Sequence, residues 1–213
     1  MSSSNNLIVN KSKPFLGRVI IPGDKSISHR SIILGSLAKG KLIINNFLRS
    51  DDCLQTISAM RSLGAKIKNF NEQIIIEGIG LNNIKNPNKI IDAGNSGTLI
   101  RLLTGILSVQ NFTSTITGDD SLNLRPMRRI ISPLVAHGAM IDSNNFRAPL
   151  KIIGNTKLSP IFYKQDVASA QVKSCLMLAA LFIEGESKFY EDIVTRNHTE
   201  NLLEHLGYDI SKS

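Results

Sequence analysis

Three stretches of this 213-residue chain end an amphipathic helix in the same manner. They occupy residues 57–67 (ISAMRSLGAKI), 131–141 (ISPLVAHGAMI) and 202–210 (LLEHLGYDI). In each, an apolar stripe at helical spacing runs up to a glycine, and the residues after it lead into a strand. The three glycines, Gly64, Gly138 and Gly207, lie 74 and 69 residues apart. Recurrence at one period marks a chain built from copies of a single supersecondary unit.

A second matched element lies upstream of each stretch. A polar loop of small residues feeds a very apolar helix. The loops are Gly23–Asp24–Lys25–Ser26, Gly94–Asn95–Ser96–Gly97–Thr98 and Ala168–Ser169–Ala170–Gln171. The helices expected after them cover 27–38, 99–109 and 172–183. The second and third are apolar almost all round, the pattern of a helix buried on every side. Short β-rich runs follow at 42–44, 114–117 and 187–190. After the second helix of the first two copies come strand pairs at 66–68 with 73–76, and 140–141 with 150–153. The reading is an α/β fold of three β-α-β-α-β-β units around buried helices, at about 22–80, 90–154 and 161–213. The third copy runs out after Ile210, short of its last strands. A truncated chain is therefore expected, because a natural domain rarely leaves such an edge unpaired.

The basic balance narrows the partners. Lys and Arg number 25 against 17 acidic residues, a formal charge of +8. Such a surplus suits nucleic acid, an anionic membrane face or small polyanions. Aromatic residues are 5% with no Trp, poor material for base stacking, and the cations are scattered beside glycines and serines. Small anions fit better than nucleic acid. No apolar run reaches the length of a membrane span, so no membrane partner is expected. Residues 1–10 lack a basic-then-apolar signal pattern, which leaves a cytoplasmic location as the expectation. Cys53 and Cys175 stand outside any CxxC pair or metal-ligand spacing. They read as reduced buried thiols, with no metal site.

Each loop carries groups suited to an anion. Helix N-termini present free N–H groups and a partial positive charge. Three related units packed about a common axis would bring three such termini to one place. In PGDKSISHR, Lys25 and Arg30 flank a helix start, one a point charge and the other a bidentate fork. Ser26 can donate to a ligand or cap the helix. Capping with solvated cations is the plain alternative. The spacing is not that of a Walker A loop. Asn95, Ser96, Gly97 and Thr98 with Arg101 repeat the arrangement, and Gly97 would let a ligand approach the backbone. An N-cap with a packing glycine explains these residues equally. Arg125 stands before a helix with Pro126 at its first turn, either as an anion ligand or as a surface charge. Arg128 and Arg129 read as solvent-facing. Ser169–Ala170–Gln171 would cap the third buried helix. Thr195 or Asn197 would cap the last one, with Glu200 at a capping-box position. His198 reads as a structural hydrogen-bonding residue.

PGDKSISHRS, the Asp51–Asp52 helix start, AGNSGTLIRLLTG, TGDDSLNLRPMRRIISPL, ASAQVKSCLMLAAL and TRNHTENLL follow one another in the order found in EPSP synthases. Together they span nearly the whole chain, which resembles the N-terminal portion of that family. The resemblance implies a two-domain protein, each domain made of three such units, closing over shikimate 3-phosphate and phosphoenolpyruvate. Residues 1–21 would hold a strand region, roughly 7–21, belonging to the other domain. Residues 22–213 would be the first lobe. By similarity, Lys25 would contact both substrates. Ser26, Arg30, Ser169, Ala170, Gln171 and Arg196 would bind shikimate 3-phosphate. Asn95, Gly97, Arg125 and Gln171 would bind phosphoenolpyruvate.

The family reaction adds the substrate 5-hydroxyl to C2 of phosphoenolpyruvate as C3 is protonated, then expels phosphate. It uses no metal or organic cofactor. The carboxylates that move protons are expected in the family's second half. No catalytic group is expected in this chain, and a fragment inactive alone follows. A monomeric parent is implied. The other readings are a UDP-N-acetylglucosamine enolpyruvyl transferase relative and a non-catalytic anion-binding module. The first would carry a cysteine-bearing loop, and 117–127 contains no Cys.

Overall fold

The computed structural model describes residues 7–14 and 16–211. Seven helices and nine strands are found among them: α1 (Lys25–Leu37), β1 (Lys39–Asn45), α2 (Asp51–Ser62), β2 (Lys66–Asn69), β3 (Gln73–Ile79), β4 (Ile91–Asp92), α3 (Gly97–Ser108), β5 (Thr113–Thr117), α4 (Asp120–Asn123), α5 (Arg128–Ala136), β6 (Met140–Asn144), β7 (Arg147–Ile153), β8 (Phe162–Lys164), α6 (Ala170–Ala180), β9 (Lys188–Tyr190) and α7 (His198–His205). The strands form three sheets in an α/β arrangement. One is antiparallel with order β1-β3-β2. The second is mixed, with order β4-β5-β7-β6 and a parallel β4–β5 pair. The third pairs β8 and β9 in parallel.

The sheets present one face to the helices and the other outward. Strand β7 alternates buried and exposed along its whole length, with Leu150 and Ile152 fully buried. In β3, Ile74 and Ile76 are fully buried while Ile75 turns away. That period of two is what a half-covered strand requires. The core lies between the sheets, on α1, α3 and α6. Ile32, Ile33 and Leu34 of α1 and Leu99, Leu102, Leu103 and Ile106 of α3 are all fully buried. Helices α3 and α6 touch almost backbone to backbone. A Cβ on Gly105 would stand 2.1 Å from the Cys175 carbonyl oxygen.

The three helix ends singled out in the sequence close alike. Gly64, Gly138 and Gly207 have φ of 99°, 101° and 81°. The N–H after each glycine reaches back five residues: Ala65 to Met60 O, Ala139 to Leu134 O and Tyr208 to Leu203 O, each at 3.0 Å. This is the Schellman closure, and its left-handed residue carries no steric penalty only as glycine.

Some expectations change. The helix expected to reach residue 183 ends at Ala180, where Leu181, Phe182 and Ile183 close in turns to Met177, Ala179 and Ala180. Its apolar run continues past the helix because those residues still pack on the core. No strand forms over the described residues of 7–21. Leu7, Ile8, Val9, Leu16, Ile20 and Ile21 are exposed there, and a lone extended segment has nothing to pair with. The part of this expectation at residues 1–6 and 15 lies outside the described residues. No helix among the described residues is long and apolar enough to cross a membrane.

Candidate anion-binding site

Helix α1 starts on Asp24, whose carboxylate accepts the Ile27 N–H at 2.7 Å. The cap is therefore Asp24 and not Ser26, which sits one position inside the helix. Its hydroxyl accepts from Arg30 Nη1 at 2.8 Å and lies 3.1 Å from His198 Nδ1. Lys25 is half-exposed and pairs with Asp52 at the start of α2. Arg30 does not flank the helix start. It lies in the second turn, 3% exposed.

Arg30 is the meeting point of three helices. Its Nε donates to Thr199 Oγ1 of α7 and its Nη2 to Ser174 Oγ of α6, both at 2.7 Å. The Ser174 hydroxyl is spent on Ala170 O at 2.6 Å, so across their 2.7 Å contact Thr199 is the donor. Burial, and then the Arg196 charge, lower the Arg30 pKa to about 10, so it stays cationic at neutral pH. That coupling places exposed Arg196 in the field of Arg30. All the oxygens that Arg30 bonds are neutral.

The second cluster forms at α3. Ser96 caps this helix, accepting the Leu99 N–H at 3.1 Å. Arg101 Nη1 donates to Gly97 O and to Gln171 Oε1, each at 3.0 Å. Gln171 Nε2 in turn donates to Thr98 Oγ1 at 3.0 Å. A Cβ on Gly97 would lie 2.7 Å from Arg101 Nη1 and 3.2 Å from Arg125 Nη1, so both guanidiniums converge on this glycine. Arg125 donates to Asn95 Oδ1, and Asn95 Nδ2 donates to Asp119 at 2.8 Å. Hydrogen bonds from Asn95 and from the Leu122 N–H hold Asp119 below its ordinary value. Burial and the neighbouring Arg125 lower Arg101.

Helix α6 joins the two clusters. Gln171 in its first turn faces the α3 cluster, and Ser174, one turn on, faces Arg30. Ser169 caps α6, accepting the Val172 N–H at 3.4 Å. Its own N–H donates to Gln165 Oε1 at 2.7 Å. Helix α2 adds a second link, with Asp52 on Lys25 and Gln55 packed 3.4 Å from the Cβ position of Gly94. The N-termini of α1, α3 and α6 are thus tied together by side chains. Among the described residues, Arg30, Arg101 and Arg125 make no ion pair with a carboxylate. Guanidiniums bonded only to neutral oxygens, beside free helix N–H groups, are a seat for anions.

At α7 neither Thr195 nor Asn197 makes a side-chain cap. Glu200 is drawn instead to Lys173 at 2.5 Å, as is Glu191. Lys173, Glu191, Gln165, Thr199 and Ser174 also belong to this network, and no local motif marks most of them. One signal was there for Lys173: a lysine inside an all-apolar helix demands a carboxylate partner. Arg128 and Arg129 are exposed as expected, Arg128 lying 4.8 Å from the Phe146 ring centre.

Known proteins match along the same residues. The family model of EPSP synthase (3-phosphoshikimate 1-carboxyvinyltransferase) matches residues 9–213. The 3-phosphoshikimate 1-carboxyvinyltransferase of Vesicomyosocius okutanii subsp. Calyptogena okutanii is 50% identical over 204 residues, covering 96% of this chain and 47% of the relative. The protein of that name from Petrotoga mobilis is 49% identical over 197 residues, covering 91% and 46%. The solved EPSP synthase of Acinetobacter baumannii superposes with a TM-score of 0.88 at 44% identity, over 92% of this chain and 45% of that one. The chain spans about half the length of the curated relatives it matches. Its motifs, the match along its length and the shared fold make this chain a member of the EPSP synthase family.

Proposed function

We propose that the chain supplies the shikimate 3-phosphate- and phosphoenolpyruvate-binding lobe of a 3-phosphoshikimate 1-carboxyvinyltransferase. The observation that carries this reading is the junction of three helix N-termini at unneutralised guanidiniums. A trianionic substrate and a second phosphorylated acid need such a surface. In this reading the chain repeats one α/β unit three times about the buried helices, with matching glycine closures; the second copy shows the β-α-β-α-β-β order, and the first opens directly on α1 among the described residues. Residues 22–213 form the lobe, and the exposed apolar residues of 7–21 belong with a second domain.

The roles are those the resemblance to the family implies, and the residues' chemistry and position support them. Lys25, at the mouth of α1, would contact both substrates. Ser26, Arg30, Ser169, Ala170, Gln171 and Arg196 would bind shikimate 3-phosphate, Ser169 and Ala170 by offering the α6 N-terminus. Asn95, Gly97, Arg125 and Gln171 would hold phosphoenolpyruvate, with Arg101 fixing Gln171. Gln171 would serve both from the first turn of α6, where its amide is held by Arg101 and Thr98 of α3. These groups orient the 5-hydroxyl toward C2 and stabilise anionic charge as phosphate departs. Proton transfer to C3 and from the hydroxyl falls to groups outside this chain.

Calorimetry tests the reading. Shikimate 3-phosphate should bind the chain with an affinity that falls as salt rises, and phosphoenolpyruvate should add to it. No phosphate should be released from the pair of substrates by the chain alone. A folded chain that gives no binding heat with millimolar shikimate 3-phosphate would overturn the assignment.

A further inference from the structure

The ammonium of Lys173 is a buried charge that the binding roles above do not use. It is 3% exposed, on a helix most of whose buried residues are apolar. Two carboxylates compensate it, Glu191 and Glu200, each at 2.5 Å. A buried triad of this kind contributes little net stability compared with apolar packing. Its use lies in what it holds.

The outer atoms of the triad reach both sides of the site. Glu191 Oε1 accepts from Thr195 Oγ1 at 2.5 Å, one residue before Arg196. The same oxygen accepts from Gln165 Nε2 at 2.8 Å. Gln165, 7% exposed, passes the restraint on, its Oε1 taking the Ser169 N–H at 2.7 Å. Glu200 follows Thr199, the acceptor of Arg30 Nε, and its charge raises the Arg30 pKa against the effect of burial. Burial pushes Glu191 up, but the hydrogen bonds from Lys173 and Thr195 outweigh it and hold that carboxyl below its ordinary range. One ammonium therefore locks the α6 N-terminal turn, the Thr195–Arg196 segment and the α7 start in a single geometry.

We propose that Lys173 is a positioning residue: through Glu191, Gln165 and Glu200 it sets the spacing between the Ser169 turn and the Arg30–Arg196 pair that grips the phosphate. This rests on the binding role proposed above. Lys173 itself does not reach the ligand, since both carboxylates enclose it. Preorganisation of this sort shows in affinity more than in folding.

Two substitutions test it in the whole chain. Lys173→Met removes the charge and keeps the stem. Gln165→Leu cuts the relay to Ser169 and leaves Lys173 paired with both carboxylates, so it decides the matter should Lys173→Met not fold. Each folded variant should bind shikimate 3-phosphate about tenfold more weakly than the wild type, one or two hydrogen bonds' worth. The Ser169 amide should also lose hydrogen-exchange protection without ligand, a local change that a general loss of packing would not single out. Folded variants with wild-type affinity and a protected Ser169 amide would overturn the inference while leaving the binding role standing. A wild-type chain that binds no shikimate 3-phosphate, with Ser169 protection the same in both variants, would bring down both.

Discussion

His29 should make this fold weaken as pH falls. It is fully buried on α1, and its Nδ1 lies 2.6 Å from Thr56 Oγ1. The Thr56 hydroxyl donates to Asp52 O at 3.2 Å, so it accepts from the imidazole, and Nδ1 carries the proton. Nε2 is left bare and has no partner among the described residues. A neutral ring tolerates this. A protonated ring would bury an unpaired N–H together with a charge. Burial, with Lys25 and Arg30 adding to it and Asp52 opposing, lowers the His29 pKa from 6.5 to about 4. The unfolded chain takes up this proton first. Stability from His29 is thus whole above about pH 6.5 and is lost as pH falls towards 4. The gap amounts to ~3 kcal/mol, a large share of an ordinary domain's stability. His29→Asn keeps a donor near Thr56 and removes the titration. Urea unfolding at pH 7, 6, 5 and 4 should show the wild type losing about 3 kcal/mol more than the variant over that range. Carboxylates titrate in both proteins and cancel in the difference. Parallel curves would refute the argument, because they would mean that His29 finds a proton-accepting partner or water in solution.

Gly105→Ala should destabilise the chain by ~3 kcal/mol or more, since its Cβ would stand 2.1 Å from the Cys175 carbonyl oxygen and no flexible side chain can yield; thermal unfolding reads this directly. Gly207→Ala meets nothing within 4 Å, so it isolates the cost of a left-handed alanine at φ 81°, about 1 kcal/mol by urea titration. Burial raises the Cys53 thiol and pushes Cys175 up to about 12. Neither should react with a thiol reagent at pH 8 until guanidinium unfolds the chain, and a fast native reaction would contradict that burial.

Local rules carried much of the fold. A glycine after an apolar stripe closes a helix wherever it occurs, because only glycine enters the left-handed region without penalty. Gly64, Gly138 and Gly207 were legible for that reason. So were the α3 and α6 burial, written in side chains apolar almost all round, and the strand runs that became β1, β3, β5 and β7. Caps were less legible: Asp24 and Ser26 are both able to cap α1, and only the backbone path at the turn selects Asp24. Element ends were also ambiguous. The apolar run to residue 183 passes the end of α6, as packing needs apolar residues in turns as much as in helices.

The site divides in the same way. That the loops at 23–26, 94–98 and 168–171 would favour anions follows from residue type and helix polarity alone. The sequence also showed that Lys25, Arg30, Arg101 and Arg125 stand beside those loops. What it could not show is which cations lack a carboxylate. Lys25 has Asp52 and Lys173 has two glutamates, while Arg30 and Arg101 bond only neutral oxygens. Those pairings join residues up to 169 positions apart, such as Arg30 and Thr199. A charge's partner depends on distance in space, and no local pattern encodes distance between segments so remote. The sequence by itself therefore determined the glycine-closed helix ends, the buried helices and loops whose residue types suit an anion. Only the tertiary structure decided which positive charges pair with a carboxylate and which bond neutral oxygens alone.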